Sequence, residues 1–199
     1  MKKIVIATKN PGKAKEFQLI FFDYQVETLL DHPEMDDIEE NGRSFLENAG
    51  IKARTAALAL GEIVIADDSG LSVDALDGAP GIYSARYAGP EKSDAANRAK
   101  LLEALADVAD SDRQAAFHCA LVVAASNGEI LADYEGQLQG EILREERGSN
   151  GFGYDPLFYV PSKGKTTAEM TAEEKAAISH RGQALAALQA DLDQGKLKL

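Results

Sequence analysis

MKKIVIATKNPGKAKEFQLIFF, residues 1–22, reads as strand, turn and helix in immediate succession. The β-branched run at 4–7 ends at Thr8-Lys9-Asn10-Pro11-Gly12, where proline and glycine mark a turn. From 13 to 22 the apolar residues Phe17, Ile20 and Phe21 fall on one side of a helix. A short buried strand feeding directly into a helix is the building unit of an α/β fold.

The same grammar continues outward. Residues 44–60 carry Phe45, Leu46, Ala49, Ala53, Ala57 and Leu60 on one helical stripe, stopped by Gly61. A second apolar strand at 63–66 runs into Asp67-Asp68-Ser69-Gly70, read as a turn. Residues 31–42, DHPEMDDIEENG, are acidic and without periodicity, so a loop is expected. A Gly/Pro-rich loop spans 78–90, and Ser93 caps a helix to about 108. Strands at 115–125 and 130–137 flank Ser126-Asn127-Gly128-Glu129, a hairpin signal, with a third strand expected at 138–144. GSNGFGYDP at 148–156 leads into a short strand at 157–160. Thr171 and Glu174 form a capping box, and Ser179 starts a second helix reaching about 192. Alternating elements followed by an antiparallel portion imply a mixed α/β sheet in two lobes, within one domain over 1–199.

Net charge is -12, from 33 acidic and 21 basic residues. A duplex binder neutralises phosphates with a basic face, and none is visible here. Nucleic acid is therefore excluded as a partner, while nucleotides stay open if a metal or local lysines offset the charge. The single cysteine, Cys119, rules out an internal disulfide framework and a cysteine-based zinc cluster. No apolar run is long enough for a signal peptide or a membrane span, so a cytoplasmic protein is expected.

Four places carry chemistry. The turn at 8–13 is a near miss to the phosphate loop G-x-x-x-x-G-K-[ST]: it keeps strand, turn, Gly-Lys and helix, so backbone N–H groups at the helix start can face an anion. It lacks the first glycine and the Ser/Thr that would hold magnesium, and it equally suits a plain strand-turn-helix junction. Asp67-Asp68 sets two mutually repelling carboxylates at a strand end, with Glu40 as a further hard ligand for magnesium; a solvated turn is the alternative. Gly151 to Pro156 pairs flexible backbone with a ring that can stack on a base, or is simply an aromatic-anchored turn. Lys175 and Arg181 cannot share a narrow face of one continuous helix, but His180 and Arg181 can turn inward if Ser179 opens a new one; otherwise the three form a solvated basic patch. His118 and Cys119 read as packing residues, and His32 offers nothing specific.

Taken together and in order, TKNPGK (8–13), EENGRSFLENAGIKA (39–53), ADDSGL (66–71), GAPGIYSARY (78–87), GFGYDPLF (151–158) and SHRGQAL (179–185) resemble the non-canonical purine nucleoside triphosphate pyrophosphatases, also called inosine triphosphate pyrophosphatases. The resemblance implies a long mixed β-sheet with flanking helices, two lobes around a central cleft, and a homodimer. It assigns Thr8, Lys9, Asn10, Pro11, Gly12 and Lys13 to the triphosphate, chiefly through Asn10 and Lys13, and Lys52 to a phosphate. Glu40 and Asp68 match the Mg2+ site, with Asp68 also the proton acceptor. Ser69, Phe152, Gly153, Tyr154, Asp155, Lys175, His180 and Arg181 match substrate contacts. The acidic segment 31–38 is the least family-like and is expected to touch none of these residues.

The implied reaction is Mg-assisted attack of water at the α-phosphorus of ITP, dITP or XTP, giving monophosphate and pyrophosphate. Arg181 donating to O6 and Asp155 accepting from N1–H would favour 6-oxopurines over adenine, which reverses both groups. Guanine shares that edge, so its rejection would rest on pocket shape. A hydrolase of modified pyrimidine nucleotides and a non-catalytic nucleotide sensor are the rival readings.

Overall fold

The computed structural model describes residues 2–199, except the side chains of Lys2 and Ile20, so the expected facing of Ile20 lies outside the described residues. Its strands are β1 (Lys2–Ala7), β2 (Tyr24–Thr28), β3 (Val64–Val73), β4 (Gln114–Ala124), β5 (Ile130–Ile142), β6 (Phe158–Val160) and β7 (Lys165–Thr166). The helices are α1 (Pro11–Ile20), α2 (Phe45–Leu60), α3 (Asp94–Ala104), α4 (Ala172–Ile178) and α5 (His180–Asp193). The strands join one sheet in the order β2-β1-β3-β4-β5-β6-β7. β1 is parallel to β2 and β3, whereas β6 is antiparallel to β5 and β7, so the sheet is mixed as expected. No helix among the described residues is long and apolar enough to cross a membrane.

Contacts divide the chain into two compact units. The first comprises residues 1–68, 119–136 and 183–199; the second comprises 69–118 and 137–182.

In the first unit, strand alternation builds two cores. Ile4, Ile6, Ile65, Leu121 and Val123 pack with Phe17 of α1, Phe21 just past its end, and Leu185 and Leu188 of α5. The intervening residues Val5, Ala7, Val64, Ala66, Ala120 and Val122 pack on Ala49, Ala53, Ala56 and Ala57 of α2. Small side chains on both sides of that second contact let helix and sheet approach closely. α2 starts where Ser44 accepts the Glu47 N–H (3.1 Å) and stops at Gly61, which takes the left-handed conformation at φ 66°.

The second unit centres on Leu71, Val73, Phe117, Ile142, Leu157 and Phe158, with Leu101 and Leu105. Buried Arg113 donates to the carbonyls of Leu105 (2.7 Å), Ile142 (2.7 Å) and Leu143 (3.1 Å).

Several expectations change. Residues 67–70 are not a turn but the middle of β3. β5 runs unbroken to Ile142 where two strands were expected, since its alternation of half-buried and exposed residues continues past 137. The short, polar β2 and the two-residue β7 give no sequence signal. α3 ends at Ala104, short of the expected 108.

The break between α4 and α5 is as expected. Thr171 and Glu174 exchange the reciprocal capping-box bonds, and Ser179 is extended (φ -66°, ψ 157°) with its Oγ accepting the Gly182 N–H at 2.9 Å. A Cβ on Gly182 would collide with the Ala176 carbonyl. Gly182→Ala is expected to cost about 1–3 kcal/mol by overpacking. Gly50→Ala, with open space around its Cβ, should be neutral or mildly stabilising. Denaturant melts of both variants check the contrast.

Candidate active site

Successive side chains of a strand point to opposite faces, and β3 uses this at its centre. Asp67 follows Ile65 onto the side of α1, where its carboxylate pairs with Lys13 and accepts the Cys119 thiol at 3.1 Å. Asp68 follows Val64 and Ala66 onto the side of α2, where its Oδ1 lies 3.5 Å from the Lys52 ammonium. The same ammonium is 3.3 Å from Glu40 Oε1. The repulsion expected of adjacent carboxylates is thus relieved by geometry, each taking its own lysine from its own helix. Burial raises the Asp68 carboxyl to about 6, opposed by Lys52 and Lys13 and reinforced by Glu40 and Asp67.

The turn before α1 is built around Asn10. Its Oδ1 accepts the N–H groups of Gly12 (2.8 Å) and Lys13 (3.3 Å), while its own N–H donates to Thr8 Oγ1 (3.1 Å). Pro11, at the first helical position, has no N–H. The Gly12 and Lys13 amides expected to face an anion are therefore engaged internally, so side chains of this turn, Lys13 among them, are the donors better placed to meet one. Lys9 reaches the acidic loop, donating to the Met35 carbonyl (3.1 Å) and Asp37 (2.8 Å). The expectation that this loop touches no site residue is corrected.

No group of three or more His, Cys, Asp or Glu placed to hold a metal occurs among the described residues. Glu40 and Asp68 nevertheless already share one cation, the Lys52 ammonium. Two hard carboxylates of this kind suit a magnesium ion whose remaining ligands are phosphate oxygens and water.

In the second unit, Asp155 is almost wholly buried and organises its surroundings. Its Oδ2 accepts from Lys175 (2.7 Å) and from the Phe152 N–H (3.0 Å), and its Oδ1 accepts from Thr167 (2.7 Å). Gly151, at φ 72°, lies so close that any Cβ would run into the Asp155 carboxylate. Lys175 sits 4.8 Å from the Phe152 ring centroid and Arg181 6.0 Å, so the helix break does bring these residues together. Arg181, only 1% exposed, donates to Ser69 Oγ at 2.9 Å. His180 stacks on Phe117 with centroids 4.9 Å apart. Tyr154 donates to the Ser84 carbonyl (2.6 Å), and burial pushes its phenol well above the ordinary value. Gly153 occupies the same loop at φ 61°.

Sequence reading missed Thr167, whose one-hydroxyl signal is lost in a polar stretch, and the holding role of Asp67. Cys119 packs in a core as expected but also bonds Asp67, and His118 Nε2 lies 2.7 Å from Ser72 Oγ. His32 contacts Glu27 and Glu34, each at 3.2 Å.

The raised Asp68 carboxyl makes stability depend on pH. Between its ordinary 3.8 and about 6, the metal-free folded chain holds a proton that the unfolded chain has released. Stability conferred at this position therefore falls as pH rises through that window, by up to about 3 kcal/mol. Denaturant titrations with chelator at about pH 4, 5, 6 and 7 should show this decline relative to Asp68→Asn. Parallel profiles for the two proteins would remove Asp68 burial as the cause.

The sequence profile of the Ham1 family matches residues 4–191. The dITP/XTP pyrophosphatase of Exiguobacterium sibiricum is 55% identical over 192 residues, covering 96% of each chain. That of Listeria monocytogenes is 55% identical over 194 residues, 96% of this chain and 95% of its own. Among solved structures, the Staphylococcus aureus Ham1 protein superposes with a TM-score of 0.85 at 48% identity, covering 98% of this chain and all of its own. A HAM1 protein from Coxiella burnetii gives 0.86 at 46% identity, with the same coverage. With its profile matched almost end to end and its fold shared with both solved structures, this chain belongs to the Ham1 family.

Proposed function

We infer that the chain hydrolyses non-canonical purine nucleoside triphosphates, dITP, ITP and XTP, to the monophosphate and pyrophosphate. The observation that carries the mechanism is the pair of opposed carboxylate-lysine contacts on β3. Full-length relatives named dITP/XTP pyrophosphatases support the substrate class.

Attack of water at the α-phosphorus builds negative charge on the leaving pyrophosphate and the non-bridging oxygens. Lys13 and Lys52, held in advance by Asp67 and by Glu40 with Asp68, meet that charge without reorganising. Asp68 accepts the proton of the attacking water. Glu40 and Asp68 would hold Mg2+, which when bound neutralises phosphate charge. No nucleophilic side chain is required.

For the base, three of the roughly four acceptor positions of the Asp155 carboxylate are filled internally. The remaining one suits the N1–H of a 6-oxopurine, and Arg181 supplies the donor for O6. Adenine would leave both buried groups unmatched, at about 1–3 kcal/mol each. Lys175, His180 and Phe152 complete the base and sugar contacts. The same reading makes the chain one functional domain, acting as a cytoplasmic homodimer on free nucleotides rather than on nucleic acid or membranes.

Incubation with magnesium and each of dITP, ITP, XTP, GTP, ATP, CTP and UTP, followed by product analysis, tests the reading. The expected result is monophosphate plus pyrophosphate, chiefly from dITP, ITP and XTP. Diphosphate plus orthophosphate, or a preference for pyrimidines, would overturn it. Asp68→Asn should lose at least about 10²-fold in kcat at neutral pH while remaining folded.

A further inference from the structure

The loop that carries Phe152 and Asp155 is fixed from outside by α3. Gly153 has a positive φ of 61°, and a Cβ built there would meet nothing within 4 Å. With no side chain to pack, its place is set by its backbone bonds. Both of its polar groups are taken by one helix: its N–H donates to Asp94 Oδ2 (2.9 Å) and its carbonyl accepts from Arg98 Nη1 (2.9 Å). Asp94 and Arg98 are four residues apart, so they stand one above the other on a single helical face. Arg98 is steadied in turn by Glu146 at 2.7 Å. Asn97, on the same helix, accepts the Ala88 N–H (2.7 Å) and donates to the Ala85 carbonyl (2.9 Å). Ser93 caps the helix by accepting the Ala96 N–H.

We propose that Asp94 and Arg98 form a positioning pair that holds Gly153, and through it the Phe152 ring and the Asp155 carboxylate, in the shape that accepts the base. The pair thereby sets substrate affinity and base selectivity without touching the reacting phosphates. This rests on the assignment of residues 152–155 to the base. Glycine-rich backbone has more conformations to lose than any other, so an unanchored loop spends much of its time away from the binding shape. A loop ordered beforehand binds more tightly because that ordering cost is not met on binding. The effect belongs in KM, since Lys13, Lys52 and Asp68 act at the phosphates and are held by other bonds.

Asp94→Ala, Arg98→Met and the double variant test the proposal through steady-state kinetics with dITP, XTP and dATP. Each single change is expected to raise KM for dITP and XTP about tenfold, leave kcat within about twofold, and narrow the preference for dITP over dATP. The double variant should add little to the worse single one, because both release the same residue. A merely structural role would lower thermal stability without this split between KM and kcat or the loss of selectivity. Unchanged KM and unchanged selectivity would overturn the proposal. Hydrogen exchange of the peptide spanning 150–156 gives a second readout that needs no turnover, and Asp94→Ala should accelerate it. If the wild-type chain cleaves none of these nucleotides, the functional reading fails by itself. Unchanged exchange in Asp94→Ala would then overturn the positioning role independently.

Discussion

Two neighbouring carboxylates cannot both stay charged inside a protein unless each finds its own compensation, and the first unit is arranged around that constraint. The pleat of β3 separates Asp67 from Asp68, and the helices on the two faces each bring one lysine. Buried ion pairs of this kind contribute little net stability, because desolvating the charges offsets their attraction. Their value is positional: two ammonium groups stand ready at fixed places on either side of one strand. Glu40, arriving from the acidic loop, shares the second ammonium and draws that loop into the same arrangement. Lys9 ties the loop down from the other end through Asp37 and the Met35 carbonyl.

The second unit solves a different problem, which is to keep a glycine-rich segment in one shape. Asp155 does this from beneath by accepting from Thr167, Lys175 and the Phe152 N–H, and α3 does it from the side. The break at Ser179 is equally necessary. On one unbroken helix Lys175 and Arg181 would diverge, whereas the new start at His180 lets both approach the Phe152 ring. Gly182 permits the two helices to meet closely enough for this. Asp68 and Ser69 are consecutive residues of β3, Asp68 beside the Lys52 ammonium and Ser69 accepting from Arg181.

Much of this was legible in the sequence because it depends on local patterns. The stripe of α2, the Ser93 cap, the Thr171–Glu174 box and the restart at Ser179 all follow from short-range physics. What escaped depends on partners far along the chain. Residues 67–70 look like a turn because Asp, Ser and Gly favour turns, and it takes distant partners such as Lys13 and Lys52 to make a buried strand tolerable there. The cap on Asn10 was hidden for the opposite reason. A Gly-Lys turn suggests amides aimed at an anion, whereas the carboxamide within the same turn takes them first. Thr167, Asp94 and Arg98 carry no motif, since their roles exist only once the loop at 151–155 lies against them.

The alternation of β3 also restricts how such a sequence can change over evolutionary time. Substitutions in this strand can be absorbed one at a time, since each face packs separately against its own helix. Loss or gain of one residue ahead of Asp67 cannot, because it would exchange the two faces. The carboxylate paired with Lys13 would turn toward Lys52, and Ile65 would trade places with Ala66 against the alanine-rich surface of α2. Length variation should therefore concentrate in the acidic loop and in the turn after β4, while the spacing from Val64 through Ser69 stays invariant even where identities drift.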